Sequence, residues 1–177
     1  MKFQLVDRIE SIDPARGSDG TPCGRIVTVK VLSLAEEYLA DHFPAFPVMP
    51  GVLMLEAMVE SAAWLVRVQQ DFSKSIIVLA AARNVRYASF VQPGEMLRCE
   101  LEALAIDEGA AKFKGTGTVD GRQAVTSRLE LKCFNLAERR PHLAAADAEI
   151  IAQLKERFAL IGGPSALRRS KPEGCGG

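Results

Sequence analysis

The sequence predicts an α+β domain in which one buried helix lies against an antiparallel sheet. Three observations predict it. One long apolar stretch, residues 52–68, is interrupted only by Glu56, Glu60, Ser61 and Arg67. Several other segments alternate apolar and polar residues with the two-residue period of a strand. Tight turn signals join those segments, above all Asp120-Gly121, a strong hairpin marker.

At 177 residues the chain fits one domain and is long enough to bury a sizeable core without staples. Apolar content of 48% and charged content of 25% are ordinary for a soluble globular protein. The 22 basic residues balance the 22 acidic ones, so nothing recommends nucleic acid as a partner. The start MKFQLVDRIESIDP lacks an apolar core of signal-peptide length. A membrane span needs about 20 apolar residues, which residues 52–68 approach. Two glutamates inside that stretch are costly in lipid, so no membrane partner is expected and the setting reads as cytoplasmic.

Four scattered cysteines, with neither a CxxC pair nor a histidine pair nearby, argue against zinc and against a disulfide framework. Cys99 and Cys133 are expected to be small core residues in strands, and Cys175 an exposed thiol.

Taken in order, residues 3–12 read as a short strand, followed by a breaker-rich loop over 13–20. Residues 24–32 alternate and read as a sheet strand. Residues 36–39 suit one turn of helix. The central helix follows, then a polar loop over 71–75. Residues 76–82 form an apolar run expected to be the first core strand after the helix, and 84–90 a further strand. Residues 96–106, 110–119 and 124–134 are three longer strands. Ile150, Ile151, Leu154, Phe158 and Ile161 recur at three- and four-residue spacing, which predicts a helix over 147–160. The expected domain is residues 1–161, with His142 on the surface of a connector. Residues 162–177, rich in small and basic types, read as a disordered tail.

The most informative stretch is 41–60. Its three prolines, Pro44, Pro47 and Pro50, fall within seven residues and cannot be helical. Pro50 and Gly51 then suit a helix start. Glu56 and Glu60 share a helix face, with Arg67 near it two turns later. That stripe either meets solvent or a partner subunit, or it places Glu56 in a site.

The run His42-Phe43-Pro44, Pro47-Val48-Met49-Pro50-Gly51-Val52-Leu53 and Glu56-Ala57-Met58 resembles the signature of the 3-hydroxyacyl-acyl-carrier-protein dehydratases of FabZ type. Arg83-Asn84-Val85-Arg86-Tyr87 and Phe90-Val91-Gln92-Pro93-Gly94-Glu95 also resemble that family's strand and turn. The likeness spans roughly residues 1–135. It implies a hotdog fold, an antiparallel sheet wrapped around one long apolar helix, to which residues 147–160 add an extra C-terminal helix. It implies His42 and Glu56 as the catalytic pair, fourteen residues apart and shared across a dimer interface. It also implies an acyl-carrier-protein thioester as substrate and a homodimer or higher assembly. Two residues depart from the pattern: Ala45 replaces a usual glycine and Glu60 a usual glutamine. Alanine costs little where φ is negative and more where it is not. Glu60, one turn from Glu56, is expected to act as a pKa modulator through like-charge repulsion.

The chemistry explains these residue types. A neutral imidazole suits removal of the C2 proton. A carboxyl in an apolar tunnel has its pKa raised and suits protonating the departing hydroxyl. The amides of Gly51 and Val52 at the helix start suit a developing oxyanion. Phe43 and Val48 complete the expected substrate contacts, and Arg83, Arg86 and Arg98 are candidate contacts for an acidic carrier. Elimination needs only acid, base and oxyanion support, so no metal or redox cofactor is expected. Thioester hydrolysis and a non-catalytic acyl-binding partner stay open as alternatives.

Overall fold

The computed structural model describes residues 4–14 and 24–167. Six antiparallel strands form one sheet: β1 (Arg8–Asp13), β2 (Gly24–Val31), β3 (Ile76–Tyr87), β4 (Met96–Ile106), β5 (Ala110–Val119) and β6 (Arg122–Phe134). Their order across the sheet is β1-β2-β4-β5-β6-β3. Asp120 and Gly121 both take positive φ, 49° and 75°, and turn β5 into β6 as that dipeptide predicts.

Helix α1 (Gly51–Gln69) packs against β2, β4, β5 and β6, so the sheet wraps around it. Its second half is buried all round: Ala62, Ala63, Trp64, Leu65 and Val66 meet no solvent beyond a few percent. Truncating Leu65 to alanine is expected to cost roughly 2–5 kcal/mol, the usual penalty for a core leucine. Ser61 is accommodated there because its Oγ bonds the Ala57 carbonyl and Thr28 Oγ1, each at 2.6 Å. Cys99 and Cys133 are buried in β4 and β6, as expected, while Cys23 and Cys175 lie outside the described residues. No helix among the described residues is long and apolar enough to cross a membrane.

The structure corrects several expectations. Residues 76–90 are not a core strand and a second strand. Residues 76–87 form one strand, β3, at the sheet edge, with every residue half-buried or exposed, and residues 88–90 lie beyond it. An apolar run announces a strand but not its neighbours, and among the described residues β3 pairs only with β6. Asn84, at φ 53°, marks a register shift that lets the strand bend and continue. β1 begins later than expected, because Leu5 and Val6 are buried ahead of the ladder.

The C-terminal helix α2 (Ala144–Leu160) reaches α1 through Phe158. Phe158 stacks near Trp64 and Phe72, at 5.9 and 5.5 Å between ring centres. Buried Asp147 anchors its start by accepting Ser75 Oγ and the amides of Leu136 and Ala137. The expected disordered tail is overturned for residues 162–167. α3 (Gly163–Ala166) packs on β1, Ile9 N–H bonds the Ile161 carbonyl at 2.8 Å, and Leu167 bridges Ile12. The stretch is rich in small residues because it must fit tightly: a β-carbon on Gly163 would collide with the Phe158 ring. Residues 168–177 lie outside the described residues. His142 is exposed in a 3₁₀ turn, Pro141–Leu143.

Candidate active site

The three prolines keep residues 44–50 out of helix, and the loop is shaped by one strained residue. Phe43 takes φ 51°, an uncommon conformation for a bulky side chain. The Phe46 amide closes the resulting turn on the Phe43 carbonyl at 2.7 Å. Ala45 is not among the described residues with positive φ, so its methyl group is tolerated where the resembled family has glycine. Downstream, Met49 N–H bonds the Val91 carbonyl at 2.9 Å and Val48 is buried, which fixes the loop's far end.

His42 sits at the loop's near end, half-buried, its amide on the Tyr38 carbonyl at 3.1 Å and its ring 4.4 Å from that of Phe43. Phe43, Pro44, Ala45, Phe46 and Phe90 line a wholly apolar groove of about 380 Å³. Phe46 and Phe90 meet edge to face at 5.6 Å between centres.

Gly51 opens α1 under the ring of Tyr87, which lies 3.1 Å from where a β-carbon would stand. A β-carbon at the helix start would therefore press on that ring. The first intrahelical bonds run from Leu53 and Met54 to the Pro50 carbonyl, at 2.9 and 3.1 Å. The amides of Gly51 and Val52 precede them, where helix geometry supplies no partner within the helix. Val52 is 70% exposed, which breaks the expectation that this helix is buried throughout.

One turn on, Glu56 is exposed, yet the surrounding protein withholds enough water to raise its pKa above the ordinary carboxylate value. Glu60 is more deeply placed and accepts the Leu5 amide at 2.9 Å. Burial raises its pKa most. The Leu5 amide, Arg157 and Arg67 oppose that rise, and the charge of Glu56 is the smallest contribution. The expected modulation by like-charge repulsion is thus a minor effect here, because cations and an amide face Glu60. Arg67 lies over Trp64 at 5.2 Å, and burial brings its own pKa down to about 10.

Among the described residues no hydrogen bond or ion pair joins His42 to Glu56 within one chain. The three arginines also separate. Arg83 and Arg86 are exposed on β3, Arg83 bonding Glu130 at 2.9 Å. Arg98 lies on β4, three strands away, engaged by Glu10 and Glu100 at 3.0 and 3.2 Å. It is therefore neither near β3 nor available. Sequence reasoning missed Tyr87 and Phe46, whose roles arise from contacts between distant segments. Phe43 and Phe46, set between the prolines, were the local hint.

A FabA-like domain model matches residues 1–128. The chain belongs to the FabA-like family. The 3-hydroxyacyl-(acyl-carrier-protein) dehydratase FabZ of Solibacter usitatus is 36% identical over 152 residues, covering 85% of this chain and 87% of that protein. The FabZ of Geobacillus thermodenitrificans is 35% identical over 127 residues, covering 72% and 82%. Among solved structures, the dehydratase heterocomplex ApeI:P of Xenorhabdus doucetiae superposes with a TM-score of 0.57 at 20% identity, over 80% of this chain and 90% of that one. At that identity the likeness speaks for the fold, which is the hotdog fold. This FabA-like chain carries α2 and α3 beyond the matched region.

Proposed function

We propose that the chain removes water from a 3-hydroxyacyl thioester borne by an acyl carrier protein and yields the trans-2-enoyl thioester. One observation carries the reading: a chain related to FabZ dehydratases along 85% of its length keeps a histidine and a carboxylate at the two positions where the resembled family has its catalytic pair. His42 takes the C2 proton, and the C2–H electron pair forms the new C2=C3 bond. Glu56, whose raised pKa favours the protonated form, delivers its proton to the C3 hydroxyl as the C–O bond breaks, so that water leaves. The amides of Gly51 and Val52 hold the thioester oxygen while charge develops on it.

The unlinked placement of His42 and Glu56, the free edge of β3 and the exposed Val52, Tyr87, Phe43 and Phe90 together favour a second copy pairing along β3. In that homodimer each site draws its histidine and carboxylate from different copies. The acidic carrier docks beside Arg86, an exposed cation with no ion pair among the described residues. The cytoplasmic setting expected from the sequence goes with this reading.

The test is to supply 3-hydroxydecanoyl carrier-protein thioester and follow enoyl absorbance and free thiol together. Enoyl product without thiol supports dehydration. Thiol release alone makes the chain a thioesterase, and neither signal makes it a binding module.

A further inference from the structure

Lys30, on β2, is only 5% exposed, although its side chain ends in an amine. Its Nζ lies 2.6 Å from Glu36 Oε1 and 3.4 Å from each oxygen of Asp7. A buried ammonium persists only when such partners surround it. The two carboxylates differ in what they are attached to. Asp7 is fixed to β2 itself, since its Oδ2 accepts the Val31 amide at 2.8 Å and its own amide bonds the Val29 carbonyl at 2.9 Å.

Glu36 instead heads the 3₁₀ turn Glu37–Leu39, whose Leu39 amide bonds the Glu36 carbonyl at 3.1 Å. Within that turn the Tyr38 carbonyl accepts the His42 amide. From Ala40 to Val48 the backbone bonds among the described residues stay within the loop and its turn. Among the described residues, the contacts that tie the segment to the rest of the fold include Glu36 on Lys30 and Met49 on Val91.

We infer that Lys30 is a positioning residue for His42: it pins Glu36 to the sheet and so sets the turn from which the imidazole is presented. The inference rests on the reading of His42 as the base. Glu56 stands on α1 and has no bond to this cluster, so the base should be disturbed and the acid left in place. A displacement of about an ångström at a reacting group can cost up to a hundredfold in rate.

The experiment uses the full chain with K30M, E36A, the double variant K30M/E36A and H42N. It reads kcat and KM for water loss together with amide hydrogen exchange at His42. Methionine matches the lysine stem in length and keeps the site filled. If K30M does not fold, E36A decides the matter, because Glu36 reaches solvent and removing its carboxylate frees the same turn.

The expected result is a kcat lowered roughly ten- to a hundredfold in each single variant with little change in KM. The double variant should be no slower than the slower single one. The His42 amide should exchange faster while the amides of α1 do not. Unchanged kcat and unchanged His42 exchange in K30M and E36A, beside an inactive H42N, would overturn the inference. Should the unaltered protein show no water loss, the exchange data still decide the positioning role, and the reaction assignment alone falls.

Discussion

The ring of Tyr87 stands 3.1 Å from the point that a β-carbon on Gly51 would occupy. The end of edge strand β3 is thereby pressed onto the first turn of α1, where the thioester oxygen is expected to bind. Tyr87 is 47% exposed and can yield by the few tenths of an ångström an alanine needs. G51A should therefore keep its stability within about 1 kcal/mol. Its kcat/KM should fall roughly tenfold, because the displaced ring and the added methyl narrow the approach to the helix-start amides. Thermal melts and steady-state kinetics on the same preparation check this; an unchanged kcat/KM would separate the packing from the site.

Much of this architecture was legible in the residues. The two-residue period of β4 and β5 reproduced their bounds, and Pro50-Gly51 marked the start of α1. Local pattern suffices there because side-chain alternation and capping are local physics. The edge position of β3 was not legible, since Ile76 to Ala82 would look the same in a central strand. The partners of Glu60 were equally hidden. Leu5 and Arg157 lie 55 and 97 positions away in the chain, and only the folded topology turns a suspected carboxylate pair into a carboxylate facing an amide and two cations. For the site, the signature stretch supplied His42 and Glu56, but not Lys30 or Tyr87: Tyr87 meets Gly51 only in the fold, and Lys30 lies in β2, where alternation gives no sign that its side chain is buried between Asp7 and Glu36.

Glu60 predicts a pH effect on stability more than on rate. Its folded-state pKa is raised, chiefly by burial, so the folded protein holds this proton more tightly than the unfolded chain. The associated stability is present below the ordinary carboxylate pKa and is lost as pH rises through the raised value. E60Q keeps an acceptor for the Leu5 amide but cannot titrate, so its melting temperature should fall less than that of the parent across this window. The acidic limb of its pH–rate profile should stay in place, because repulsion from Glu56 is the weakest influence on Glu60. A clear shift of that limb would restore the coupled-pair reading.

Asp147 makes the opposite prediction. Burial pushes its pKa up, but the Ser75 hydroxyl and the amides of Ala137 and Leu136 outweigh that and leave it lowered. Its contribution is present above the ordinary carboxylate pKa and is lost as pH falls through the lowered value. D147A should melt at a lower temperature than the parent at neutral pH, with the difference shrinking in acid. Melting curves that differ equally at every pH would show that the charge is not what Asp147 contributes.

Arg86 and Arg98 allow the carrier surface to be separated from ordinary surface charge. Arg98 is occupied by Glu10 and Glu100, whereas Arg86 has no ion pair among the described residues. R86E should lower kcat/KM for carrier-bound substrate roughly tenfold at low salt, with the loss fading as salt rises. Activity on a small 3-hydroxyacyl thioester should hold, and R98E should affect neither. Equal losses from both variants on both substrates would remove the carrier-docking role.

The most direct measurement mixes H42N with E56Q. Each alone should lose a hundredfold or more of its water-loss activity, the usual scale for an acid or base. After the two are allowed to exchange subunits, half of the pairs are mixed and each mixed pair holds one intact site of two. Activity should then return to roughly a quarter of that of the unaltered protein. A mixture that exchanges subunits yet stays as inactive as its parents would contradict a site built from His42 of one copy and Glu56 of the other.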